Sequence, residues 1–213
     1  MLFSKEVLKR VKRELSSCID HRGLQVVETV QGAVTWIALA RTDGGCLADR
    51  NGMPWNLCRL PVDSEFREYW FGLRIRFEGP RAGDREFRSA AIAVAIDTEG
   101  SNRVLLARAE WDPGGTRHAQ PHWHLYPVPI MSDDTPLTDG ANPESRELLD
   151  DAPRIHWAMM ARWASLGDQA RAHSTESIDT NELALWCGGC LGYVVSQLRY
   201  LEAKLPRGRA KFA

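Results

Sequence analysis

Hydrophobic and polar positions along the first part of the chain predict one helix followed by a series of strands. Apolar residues recur at helical spacing over residues 4–19, and Ser4 stands where an N-cap is expected. Several segments further on are β-branched or alternate between apolar and polar residues, which is typical of strands. Prolines interrupt the stretch that ends near Ser64, so it is predicted to be a loop. The strands are expected at residues 24–30, 33–41, 69–78, 89–96 and 104–111.

The pattern changes after residue 131. Residues 132–152 are acidic and are interrupted by prolines and glycine, which indicates a loop. Helical spacing returns at 153–166 and again from Asp179 or Thr180 to about Lys204, where Asp179 and Glu182 have capping-box spacing. Residues 206–213 form a short basic tail.

These elements predict a single α+β domain over residues 1–213. An N-terminal helix precedes an antiparallel meander of about five to six strands, because segments that follow one another along the chain usually pair. The C-terminal helices are expected to pack on this sheet. The parts are the helix and sheet at 1–131, the acidic loop at 132–152, the helical part at 153–205 and the basic tail at 206–213.

Composition narrows the class of protein without identifying it. The formal net charge of -1 gives no indication of a chain that binds nucleic acid or membranes through bulk charge. The N-terminus becomes charged at once, and no apolar run approaches the ~20 residues that span a bilayer. The five cysteines are odd in number and scattered, which favours reduced thiols. A cytoplasmic protein without membrane contact is expected.

The candidate chemistry lies in residues 117–127, where three of the six histidines fall within seven residues. In an extended segment, His122, His124 and Tyr126 share one face, and Trp123 lies on the other. If the preceding strand pairs with this one and their apolar faces coincide, Arg108 and Glu110 lie on the histidine face. The sequence therefore predicts a half-buried strand whose polar face carries imidazoles.

Neutral imidazole is the commonest protein ligand of transition metals, so His122 and His124 could bind zinc or another transition metal. A third ligand could come from His118, Glu110 or the distant His156. Such an ion would activate a water molecule for hydrolysis of a phosphoester or nucleotide-like substrate. The simpler alternative is a polar sheet face whose histidines bond to neighbouring side chains. The candidate catalytic residues are His122, His124, Glu110, Arg108 and Tyr126, and the candidate substrate-binding residues are His118, Gln120, Arg154 and His156.

Chemistry without a metal is a second hypothesis for the same residues. Residues 120–126 resemble the H-x-H-x-H or H-x-H-x-Q stretch of the histidine-triad superfamily. That resemblance implies nucleotidyl transfer with His124 as nucleophile, although Tyr126 occupies the third position and departs from the motif. His122 and His124 could also cleave RNA by acid–base catalysis, with Arg108 stabilising the phosphate.

A second motif, Trp186-Cys187-Gly188-Gly189-Cys190, resembles the W-C-G-x-C redox motif of thioredoxins. On the predicted helix, however, both cysteines fall on the apolar stripe, where a thiol behaves as a small hydrophobic group. Core packing is therefore favoured, with Gly188 and Gly192 allowing another helix to approach. A zinc site shared with the histidines is the alternative, since C-x-x-C is a zinc half-site.

The non-enzymatic alternative is a binding or accessory protein. The order of helix, meander and helices resembles ubiquitin-conjugating-type domains, but no cysteine lies between Cys58 and Cys187 to match their catalytic thiol. A protein partner would then contact the acidic residues 133–151 or the basic first helix. An enzyme instead requires His122 and His124 to converge with another functional side chain. Its partner would be a small phosphorylated molecule or a nucleic acid.

Overall fold

A computed structural model gives the fold of the chain. It describes residues 1–18, 24–40, 46–48, 54–64, 67–97, 103–112, 121–125, 155–158 and 179–204. The domain is α+β, as predicted: an N-terminal helix, an antiparallel sheet and a C-terminal helix packed on it. Neither of the helices in these ranges is long and apolar enough to cross a bilayer.

The described elements keep the predicted order of helix, sheet and helix, and the sheet has three strands that the sequence pattern did not predict. The helices are α1 (Lys5–Cys18) and α2 (Thr180–Lys204), and a short 3-10 turn covers Ala82–Asp84. The strands are β1 (Val26–Gln31), β2 (Val34–Leu39), β3 (Cys46–Ala48), β4 (Pro54–Arg59), β5 (Tyr69–Glu78), β6 (Glu86–Asp97), β7 (Arg103–Trp111), β8 (His122–Leu125) and β9 (Ile155–Ala158).

Seven strands form one continuous path in the order β1-β2-β5-β6-β7-β8-β9, with antiparallel pairing throughout. Strand β2 pairs with residues 74–78 of β5, and the short strand β4 pairs with residues 70–72 on the same side of β5. Strand β3 pairs with β4. Each strand from β5 onward pairs with the next described strand along the chain, so the predicted meander is confirmed.

The two faces of the sheet have different surroundings. Both helices pack on one face, where Trp111 meets Trp186 edge to face with ring centroids 5.7 Å apart. The opposite face carries the smaller apolar cluster and the polar residues of β7 and β8. We call this opposite face, which carries Arg74, Ala91 and Glu110, the site face.

Both helices begin at the residues that the sequence indicates. The Ser4 hydroxyl accepts a hydrogen bond from the Val7 amide at 3.4 Å, in the N-cap position of α1. At the start of α2, the Glu182 amide donates to Asp179 Oδ1 at 2.7 Å, and the Asp179 amide donates to Glu182 Oε2 at 3.3 Å. This reciprocal pair is a capping box, so the prediction from its spacing is confirmed.

Two local predictions are wrong. Within the stretch 153–166, where a helix was expected, residues 155–158 form β9 and pair with β8. Residues 153–154 and 159–166 lie outside the described residues. The stretch before Ser64, expected as a loop, contains β3 and β4, and Trp55 and Leu57 are buried there. In both cases pairing with a neighbouring strand overrides the local pattern.

A bulge in β7 interrupts the regular alternation of faces along this strand. Val94 pairs with Ala107 and Ala95 pairs with Leu105, so Leu106 is the extra residue. Leu105 therefore packs in the cluster on the site face, whereas uninterrupted alternation would place it with Ala107 on the helix side. The bulge lies just before Arg108, and the predicted alternation resumes beyond it.

The cysteines of α2 belong to the core, as predicted. Cys187 and Cys190 are both fully buried, and burial raises the pKa of the Cys187 thiol well above its ordinary value. The close approach expected at Gly188 is to α1: a Cβ added there would lie 3.0 Å from Glu14 Cβ and 3.2 Å from its carbonyl oxygen. Within the described part of the chain, the same addition at Gly192 would meet Cys18 Sγ alone, at 3.5 Å.

This difference predicts opposite effects for two matched substitutions in α2. Gly192→Ala should stabilise the protein by up to about 1 kcal/mol, because alanine is the better helix former and the space is open. Gly188→Ala should lower stability, because the methyl group meets the backbone of α1. Urea unfolding of both variants measures the two free energies, and equal stabilisation by both would contradict the close helix contact.

Candidate metal centre

The centre lies where residues of neighbouring strands stand opposite one another on the site face. Each set of opposite residues forms a row that runs across the strands, and two such rows contain the residues of the centre. In the first row, Glu110 of β7 lies directly opposite His122 of β8. In the second row, Arg108 lies directly opposite His124. Directly opposite residues of an antiparallel pair share a face, with Cβ atoms about 5 Å apart. The predicted face of Arg108 and Glu110 is therefore confirmed.

Three donor atoms converge at this point of the sheet. His124 Nε2 lies 2.8 Å from His122 Nε2 and 2.7 Å from Glu110 Oε2. The third side of the triangle, from His122 Nε2 to Glu110 Oε2, is 3.7 Å. The two imidazole rings are tilted at 56° to each other, so the Nε2 atoms meet without stacking of the rings.

The cluster is well shielded from water. His122 and His124 are only 2% and 4% exposed, whereas Glu110 is half-buried. Burial by itself raises the pKa of the Glu110 carboxyl, but the hydrogen bond with His124 and the charge of Arg108 outweigh it and hold the pKa below its ordinary value. The carboxyl group is therefore an anion at neutral pH.

Arg108 fixes the orientation of this carboxylate. Its guanidinium lies 2.8 Å from Glu110 Oε1, the oxygen that does not contact the histidines. Glu110 thus divides its two oxygens between Arg108 and the imidazole pair. Such an arrangement is typical of metal-ligating carboxylates, whose second oxygen is held by a hydrogen-bond donor.

The three donor atoms are better arranged to bind a metal ion than to share a proton. An imidazole nitrogen offers either one hydrogen or one lone pair, so one hydrogen on His124 Nε2 must be divided between His122 and Glu110. A metal ion instead accepts a lone pair from all three atoms. For zinc with ligands at 2.0–2.1 Å, a tetrahedral arrangement separates donor atoms by about 3.3 Å, and the observed separations of 2.7, 2.8 and 3.7 Å bracket that value.

The structure brings together four of the predicted site residues. Within the described part of the chain, Glu110, His122 and His124 form a group whose ligand atoms all lie within 4.8 Å of one another, and Arg108 adjoins it. The backbone of His156 lies on β9 opposite His124, in the second row. The other predicted site residues lie outside the described residues: His118, Gln120, Tyr126 and Arg154.

The sequence pattern did not single out Arg74, which shares the first row with Glu110. Arg74 of β5 pairs with Ala91 of β6, and Ala91 pairs with Glu110. The alternation within β5 placed Arg74 on the polar face, but only the register across three strands aligns it with the centre. That register depends on contacts distant in sequence.

Comparisons of this chain with protein-family models, with curated proteins and with solved structures found no match.

Proposed function

We propose that the chain is a metal-dependent hydrolase that acts on a phosphoester or nucleotide-like substrate. Zinc or another transition metal would be held by His122, His124 and Glu110. The observation that carries the proposal is the convergence of two imidazole nitrogens and one carboxylate oxygen within 3.7 Å on a shielded sheet face. Ionisable side chains that converge with a charged partner in a shielded position are typical of functional sites.

The chemistry of this donor set supports hydrolysis. Two histidines and one glutamate are a ligand set of catalytic zinc sites, which leave a fourth position for water or substrate. A zinc ion held there would lower the pKa of bound water towards ~7 and would supply hydroxide at neutral pH. Glu110 contributes the negative charge of the set, and Arg108 holds it in place through Oε1.

The geometry favours metal binding over a nucleophilic histidine. A nucleophile needs the lone pair of His124 directed at the substrate. Its Nε2 is instead within 2.8 Å of both His122 and Glu110, and the side chain is almost fully buried. The same contacts argue against His122 and His124 acting as a separated acid and base on RNA.

The first prediction of the proposal concerns metal affinity. Glu110→Gln removes the anionic ligand while keeping its shape, so zinc affinity should fall by more than the roughly 10- to 100-fold typical of second-shell changes. His122→Ala/His124→Ala should abolish stoichiometric binding. Competition with a chromophoric chelator measures the affinity, and elemental analysis of the untagged protein measures the stoichiometry.

Glu78→Gln is the matched control for this experiment. Glu78 is a glutamate on the same face, is paired with Arg76 and Arg88, and lies on β5 away from the histidines. Its substitution should leave zinc affinity unchanged. Equal affinity in wild type, Glu110→Gln and the double histidine variant would contradict the assignment of the ligands.

The second prediction concerns activity. The metal-free protein should not hydrolyse phosphate monoesters or diesters, and addition of zinc, manganese or cobalt should restore turnover. The metal-loaded wild type and the Glu110→Gln variant are compared on chromogenic esters of both classes. If the metal-loaded wild type binds its ion tightly and hydrolyses neither class of ester, the proposal of hydrolase activity is wrong and a non-catalytic role is favoured.

A further inference from the structure

The two helices differ in the side chains that they turn away from the sheet. The exposed side of α1 is charged and includes Lys9, Lys12 and Arg13. In α2, residues 183–198 contain no charged side chain, although part of this stretch faces outward. A helix that is largely apolar around its whole circumference is typical of a protein interior. We therefore expect the outward side of α2 to be covered by another surface.

Large apolar side chains lie on this outward side. The buried residues Cys187, Leu191 and Leu198 mark the opposite side of the helix, which packs on the sheet. The residues about half a turn away from them form what we call the outer stripe of α2: Leu185, Gly189, Tyr193, Ser196, Tyr200 and Ala203. Leu185 is 43% exposed, Tyr193 is 48% exposed and Tyr200 is 64% exposed. Contiguous exposed apolar residues of this kind mark interaction surfaces.

The outer stripe combines large and small residues with a period of seven. Tyr193 and Tyr200 are seven residues apart, and the small residues Gly189, Ser196 and Ala203 repeat at the same interval. A seven-residue repeat keeps one side of a helix against a partner helix over several turns, and large side chains of one helix insert between residues of the other. The stripe therefore has the pattern of one half of a helix pair.

The stripe is complementary to itself when a second copy lies antiparallel to it. With a twofold axis between Val194 and Val195, Tyr193 of one copy lies opposite Ser196 of the second copy, and Tyr200 lies opposite Gly189. Every tyrosine then meets a small residue, and the relation holds in both directions, as a twofold interface requires. A parallel pair in register would instead place each tyrosine against its own copy and leave the small residues facing one another.

Charges at the two ends of α2 favour the same arrangement. The first turn contains Glu182 and the last turn contains Lys204. Lys204 adjoins the stripe, since its Nζ lies 5.7 Å from the centroid of the Tyr200 ring. In an antiparallel pair, the acidic end of each helix approaches the basic end of the other, and the helix dipoles are opposed. A parallel pair would bring like charges together at both ends.

We propose that the chain forms a twofold-symmetric dimer in which the outer stripes of two α2 helices pack antiparallel against each other. From Gly189 to Ala203 the stripe is about 21 Å long, because an α-helix rises 1.5 Å per residue. The helices lie on the other face of the sheet from the candidate metal centre, so each centre points away from the second copy. The dimer is therefore independent of the proposed function and can be tested without metal.

Sedimentation equilibrium of the full chain over a range of protein concentrations tests the proposal. The wild type should have twice the mass of one chain and should dissociate on dilution. Tyr200→Glu should raise the dissociation constant of the dimer by about tenfold or more, because it removes a buried aromatic anchor and adds a charge. Ser196→Arg should have a similar effect, because a long charged side chain would occupy the position that receives Tyr193 of the second copy.

Leu201→Glu is the matched control for Tyr200→Glu. Leu201 is the next residue of α2 and is 45% exposed, but it lies about 100° around the helix from Tyr200 and outside the outer stripe. This variant should dimerise as the wild type does, and circular dichroism should show that all three variants are folded.

Two results would overturn the proposal. One is a wild type that stays monomeric at the highest concentrations that can be reached, which would mean that no second copy covers the stripe. The other is a dimer whose dissociation constant is unchanged in both Tyr200→Glu and Ser196→Arg, or is raised as much by Leu201→Glu as by Tyr200→Glu, because its interface would then lie outside the outer stripe.

Discussion

The register between β7 and β8 is the constraint on which the candidate centre depends. It places Glu110 opposite His122 and Arg108 opposite His124 on one face, while Ala109 and Trp123 face each other on the helix side. A slip of one residue would move both histidines to the apolar face. Burial of the apolar face under the helices selects this register. The hydrophobic core therefore determines which polar side chains meet on the other side of the sheet.

Charge interactions fix the orientation of the Glu110 carboxylate. Arg108 binds one oxygen of Glu110, and the other oxygen approaches the two imidazoles, so the anion is held between a permanent cation and the histidine pair. In so shielded a position, charges interact strongly and unpaired groups are costly. A divalent cation bound to all three ligands would satisfy the lone pairs together.

Much of the fold could be predicted from the sequence, because local patterns determine it. Alternation identified β5, and capping residues identified the start of α2. The face of His122 and His124 followed from the period of a strand. The bulge that turns Leu105 to the site face could not be predicted from the alternation, because pairing with β6 determines where it lies. Strand β9 was missed because its segment has helical spacing. The alignment of Arg74 with Glu110 requires the register of three strands, β5, β6 and β7.

X-ray absorption spectroscopy of the zinc-loaded protein would identify the ligands of the ion. We expect nitrogen and oxygen ligands at about 2.0–2.1 Å, with the multiple scattering of two imidazoles that disappears in the His122→Ala/His124→Ala variant. Sulfur ligands at about 2.3 Å, or a spectrum without imidazole scattering, would contradict a centre built from His122, His124 and Glu110.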